Sequence, residues 1–191
     1  WYPKAMATAH FSELIRPVHP EFYVREGTAA SAKAERAFTH TILRIDPLLH
    51  LWEKKCPRRD RLAKIAGVEP RDAKSWREFI HAILDLAEKQ GTTGIKQLQA
   101  YSRPLRFESR SDRDIVWSGA LSKEEILAQQ DWIVHECCKL AHNRGWVHQI
   151  HVGTHNLAES SPLPLESLAK RYPGMKIVLL HAWPFLSECG W

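Results

Sequence analysis

No stretch of this sequence approaches the roughly 20 apolar residues that a helix needs to span a bilayer, and no charged-then-apolar leader opens it. A membrane-embedded protein is therefore not expected. Cysteine is scarce: Cys56, Cys137, Cys138 and Cys189 are the only four, and no two form a Cys-x-x-Cys pair. Buried thiols in a reducing cytoplasm fit that pattern better than disulfides or a structural zinc site. Low-complexity segments, internal repeats and hairpin signals are also missing, so neither an extended array nor an antiparallel sheet is indicated. An initiator Met is absent, and the last residues, "SECGW", follow closely on an apolar run, so both ends read as cut.

What remains is a chain of 191 residues, 44% hydrophobic and 26% charged, enough for one soluble domain with a sizeable core. Net charge is +5 and the isoelectric point is about 9.1. The one dense basic cluster, "KKCPRRDR" (54–61), has no aromatic platform beside it. It reads as a solvated surface loop rather than a nucleic-acid patch.

Residues 1–40 read as an irregular and helical lead-in, with a helix near 29–39, and residues 41–191 as the folded unit. "TILRIDPLL" (41–49) predicts a short strand ended by Pro47. Alternation puts Ile42, Arg44 and Asp46 on one face and Leu43 and Ile45 on the other. Helical patterns follow over 48–66 and 73–90. In the second, Trp76, Phe79, Ile80, Ile83, Leu84 and Ala87 recur at three- and four-residue spacing before Gly91, a C-terminal cap. "GIKQLQAYS" (94–102) predicts a strand carrying Lys96. Ser122 and Glu125 form a capping box that opens a helix to about Asn143, with Ile126, Ile133, Val134, Cys137 and Ala141 in its stripe. Strands at 146–153 and 175–181 flank a short helix at 164–171, and "PFLSECG" opens a further helix. Four strand–helix units without hairpins predict parallel strands joined by crossovers, either an α/β barrel or a doubly wound sheet.

In such folds the functional groups gather at the carboxyl ends of the strands. Here those ends carry Arg44 and Asp46, Lys96, His151 and His181. His151 shares a face with Gln149 and Val147, and His181 with Leu179 and Ile177; if those faces point inward, the two histidines converge. Imidazole suits zinc and similar ions, but a catalytic metal takes about three protein ligands, so two histidines are not yet a site. His148 alternates to the opposite face, as a helix-packing or solvated residue, and His155 falls in the following loop. Lys96 could equally pair with a carboxylate or reach water, and Arg44 could pair with Asp46.

The segments "RIDPLL", "GIKQLQAYSRPL" and "QIHVGTHN…SSPLPLESLAKRYPGMKIVLLHAWPF" resemble the amidohydrolase-related family of metal-dependent hydrolases, in the branch that includes the amidohydrolase half of nodulin and glutamine-synthetase fusion proteins. The resemblance runs over about 40–191 and is strongest at 147–186. It implies a (β/α)8 barrel with one or two divalent ions, zinc first and manganese or iron next. By position in that family, His151 matches a metal ligand. His181 matches a histidine that binds a second metal or assists the activated water. Lys96 falls where some members carry a carboxylated, metal-bridging lysine, and Arg44 and Arg103 are candidate anchors for a substrate carboxylate. Two departures stand out. No His-x-His pair occurs in the chain, and the family's last-strand aspartate would lie beyond Trp191. The expectation is therefore an incomplete barrel, about strands three to six, whose exposed strand edges invite self-association.

The function so implied is hydrolysis of a C–N or C–O bond in a small carboxylate-bearing substrate by a metal-activated water. Decarboxylation or isomerisation on the same scaffold is the alternative, and a non-catalytic interaction module that lost its metal is another. A small-molecule substrate is the expected partner, with no nucleic acid and no membrane.

Overall fold

A computed structural model describes residues 2–154 and 156–182; Trp1, His155 and the expected helix at "PFLSECG" lie outside them. Five strands form one parallel sheet: β1 (Leu14–Val18), β2 (Thr39–Arg44), β3 (Gly94–Gln97), β4 (Val147–His151) and β5 (Lys176–Leu180). Their spatial order equals their order in the chain. A doubly wound sheet reverses strand order at a switch point. None occurs among the described strands, and of the two architectures left open by the sequence the wall of a (β/α) barrel is the one formed.

The strands are joined by α2 (Ala30–Glu35), by α3 (Pro57–Ala66) with α4 (Ala73–Glu88), by α5 (Lys123–Asn143) and by α6 (Glu166–Arg171); a first helix, α1 (Tyr2–Thr8), precedes β1. The expected stripe of α4 is wholly buried, and Asp72 and Ser75 cap its first turn reciprocally. The Ser122–Glu125 box opens α5 as expected, with Ile133, Val134, Cys137 and Ala141 buried and Ile126 half-buried. These helices cover Leu43, Ile95 and Ile150 on one face of the sheet, all fully buried. Among the described residues no helix is long and apolar enough to cross a membrane.

On the opposite face the neighbouring strands close in on Gly94. A Cβ there would lie 2.6 Å from the Val147 side chain and 3.1 Å from that of Ile42. Only glycine lets those three neighbours form one layer.

Three expectations need correction. The segment 1–40 is not merely a lead-in: it contributes β1, which pairs with Thr39–Leu43 as a fifth strand. Its Pro17 is tolerated because β1 is an edge among the described strands. The helix expected over 48–66 is confined to α3. A 3-10 turn, Asp46–His50, comes first, and Pro57 opens the helix with Cys56 Sγ accepting from the Arg59 amide. The strand expected over 94–102 stops at Gln97, because the Asp46 carboxylate takes the Leu98 amide (2.7 Å) and the Gln99 side chain (3.1 Å) and turns the chain into a 3-10 turn. Cys56, Cys137 and Cys138 are buried free thiols.

Candidate active site

Each of the five strands delivers a polar side chain at or just past its carboxyl end. Arg44, Lys96, Gln149 and Val178 are register partners across four strands and share one face. His151 lies two residues beyond Gln149 on that face, opposite Leu180. His19 follows directly after β1.

Asp46 organises the centre. One carboxylate oxygen accepts from the Leu98 amide and Gln99, and the other accepts from Arg44 Nε at 3.2 Å. Its charge is thus engaged, while the cations around it are in excess. The Lys96 ammonium is held below its ordinary pKa, first by partial burial and then by Arg44, with Asp46 opposing. His151 is likewise lowered, first by burial, then by His181 and Lys96. His19 is lowered by burial and by Arg44 and Arg58. The strand ends therefore present a positive surface bearing neutral imidazoles near pH 7.

The His151–His181 contact forms, though not by the route alternation suggests. With His151 opposite Leu180, the inward residues of β5 are Lys176, Val178 and Leu180, and His181 should face the helices. Instead His181 adopts φ 66°, in the left-handed region. That turn brings its ring centroid to 4.6 Å from that of His151. Tyr101 also packs on His151, centroids 4.8 Å apart. Its turn is tied to the loop after β4, where the Thr154 hydroxyl donates to the Ala100 carbonyl at 3.2 Å.

Arg103 does not join this group. Its side chain is 6% exposed and donates to Asp131, Gln130 and the carbonyls of Leu127, Pro104 and Arg106. The guanidinium also stacks on Phe107 at 4.7 Å. All its donor directions serve the fold, so the expected anchor is a buried structural cation. His148 faces the helices, fully buried, with Nδ1 3.4 Å from Cys138 Sγ; burial pushes its pKa down to about 3.

His19, Tyr101 and Gln149 complete the site and were not singled out from the sequence. His19 could have been found only by recognising β1, which arginine and proline disguise.

The facing imidazoles are suitable donors for a divalent ion. No group of three His, Cys, Asp or Glu side chains able to hold one occurs among the described residues. His151 and His181 supply two of the roughly three or four ligands required, so an ion would be held here only with further donors.

No model of a known protein family matches the sequence, nor does any curated protein. Solved structures do match. The uronate isomerase of Thermotoga maritima has a TM-score of 0.71 at 15% identity, covering 98% of this chain and 49% of its own. A "putative metal-dependent hydrolase" of Lactobacillus casei has a TM-score of 0.66 at 18% identity, over 98% of this chain and 50% of its own. The glucuronate isomerase of Caulobacter crescentus gives 0.69 at 16%, over 92% and 42%. The chain spans about half the length of these proteins or less. The shared fold is an α/β barrel, present here in part.

Proposed function

We propose that the chain carries a wall of the active site of a metal-dependent hydrolase of the amidohydrolase type, acting on a small carboxylate-bearing substrate. The observation that supports this best is His181, whose strained backbone stands its imidazole against His151 beside two cationic strand ends. Left-handed geometry costs a non-glycine residue about 1–2 kcal/mol, and strain of this kind clusters where function requires it. The proteins of similar structure, a metal-dependent hydrolase and uronate isomerases, belong to the same range of chemistry.

Arg44 and Lys96, register neighbours, are the carboxylate anchor. Asp46 holds Arg44 by Nε, which leaves the two terminal nitrogens for a ligand. His151, neutral near pH 7, offers a nitrogen lone pair to an incoming ion, with His181 beside it. A divalent ion, zinc foremost, held in part by His151 and His181, would supply a water acidic enough to attack near neutral pH. Tyr101 packs against His151 from an exposed position at the site's rim.

Isomerisation of a sugar acid is the second reading, favoured by a specific feature. Two adjacent imidazoles beside a carboxylate anchor can move a proton between neighbouring carbons with no additional ligand set.

The test is an assay of the purified protein on N-acyl amino acids, hydroxy-acid esters and hexuronic acids, with added zinc or manganese and with chelator. Metal-dependent hydrolysis that is lost in Lys96→Met supports the first reading. Interconversion of a hexuronate that survives chelation overturns it in favour of the second. Absence of turnover together with absence of carboxylate binding contradicts both.

A further inference from the structure

The basic cluster at 54–61 is divided by the fold. Lys54 and Lys55 are exposed in the loop, and Arg59 turns back on it, donating to the carbonyls of Leu51, Glu53 and Lys54. Arg58 and Arg61, three apart on α3, instead point to the chain segment after β1. There they line a cleft of about 460 Å³ together with Arg16, Arg25 and His19. That volume lies within the roughly 300–1,000 Å³ typical of small-molecule sites.

The charge inside the cleft is unbalanced. Four arginines face two glutamates, Glu21 and Glu26. Arg58 is fixed by Glu21 through a two-point contact at 3.2 and 3.4 Å, and its Nη2 stands 3.4 Å from His19 Nδ1. Arg16 pairs with Glu35 at 3.6 Å and lies over Phe22 at 5.2 Å. Arg25 and Arg61 have no acidic partner among the described residues, and Glu26 is exposed at the rim. Two ion-paired guanidinium groups, Arg16 and Arg58, thus flank two exposed and unneutralised ones, Arg25 and Arg61, around a single open concavity.

We propose that this cleft binds a small dianion, a phosphate monoester or a dicarboxylate. Planar guanidinium forks match the oxygens of either group. The limited volume of this open cleft suits a small molecule, whereas a nucleic-acid backbone would need an extended basic track. The cleft adjoins the strand-end centre and shares His19 with it, since that ring lines the cleft and also lies in the field of Arg44. Occupancy of the cleft would accordingly be felt at the mouth of the active site.

The test is calorimetric titration of the intact protein with inorganic phosphate, glycerol phosphate and succinate at constant ionic strength. The variants are Arg25→Gln, Arg61→Gln and, as a control on the other site, His151→Gln. Saturable binding is expected for at least one probe, weakened about tenfold or more by either arginine substitution, since a charge-assisted hydrogen bond contributes roughly 1.5–3 kcal/mol. His151→Gln should leave that binding unchanged. Preference for the phosphates over succinate, or the reverse, names the ligand class. Absence of saturable binding to all three probes overturns the proposal. So does binding that falls in His151→Gln and persists in both arginine variants. Unfolding curves of the ligand-free variants check that each remains folded.

Discussion

The rings of His151 and His181 stand 4.6 Å apart, centroid to centroid, only because His181 leaves the strand conformation. Regular alternation would have sent it toward the helices. The contact is thus built by backbone strain rather than by sheet geometry.

That strain can be measured. Glycine relieves the cost of left-handed geometry and alanine does not. His181→Gly should therefore be about 1 kcal/mol more stable than His181→Ala in urea unfolding. Equal stabilities would mean that residue 181 does not hold this conformation in solution.

Arg103 and Asp131 form a pair with side chains 6% and 2% exposed, and Arg110 also reaches Asp131. Breaking a buried pair typically costs about 3–5 kcal/mol. Arg103→Ala should fall at the lower end, near 3 kcal/mol, because Arg110 still partners the carboxylate. Carboxylate binding by the folded variant should be unchanged. Near-normal stability with binding lost would return Arg103 to the role of substrate anchor.

The sequence revealed the helices far better than the site, and the reasons are physical. In α4 and α5 a long apolar stripe, an N-terminal cap and a terminating residue all agree, so pattern and structure coincide. β1 lacked such agreement. "LIRPV" holds an arginine and a proline, its residues are largely exposed, and it is ordered by pairing with β2 rather than by a pattern of its own. With β1 hidden, His19 was hidden too. The convergence of His151 and His181 was foreseen, but from an alternation argument that the register contradicts. One dihedral angle restores the contact, and no periodicity encodes it. Asp46 was read as a strand-exit charge beside Arg44; that it also ends β3, across 52 residues, is a tertiary effect.

Buried His148 predicts an acid response. Its pKa is pushed down to about 3 by burial, against 6.5 in an unfolded chain. The unfolded state therefore binds the proton more readily below pH 6.5. Its contribution to stability is complete above that pH and is lost progressively as pH falls toward 3. Unfolding free energies from urea curves at pH 7, 6 and 5 should decline in the wild type, by on the order of 1 kcal/mol per pH unit from this residue. His148→Leu should decline less steeply, with a remaining slope from other lowered histidines such as His135. An unchanged slope would show that His148 is solvated.

The most direct test of the account is a double-mutant cycle on kcat/KM, using the compound from the substrate panel that is turned over fastest. The variants are His151→Gln, His181→Gln and the pair together. If the two imidazoles act as one reacting unit, each single variant should lose about a hundredfold or more, and the double variant little beyond the worse single. Losses that multiply in the double variant, or a single variant with activity near the wild type, would contradict it.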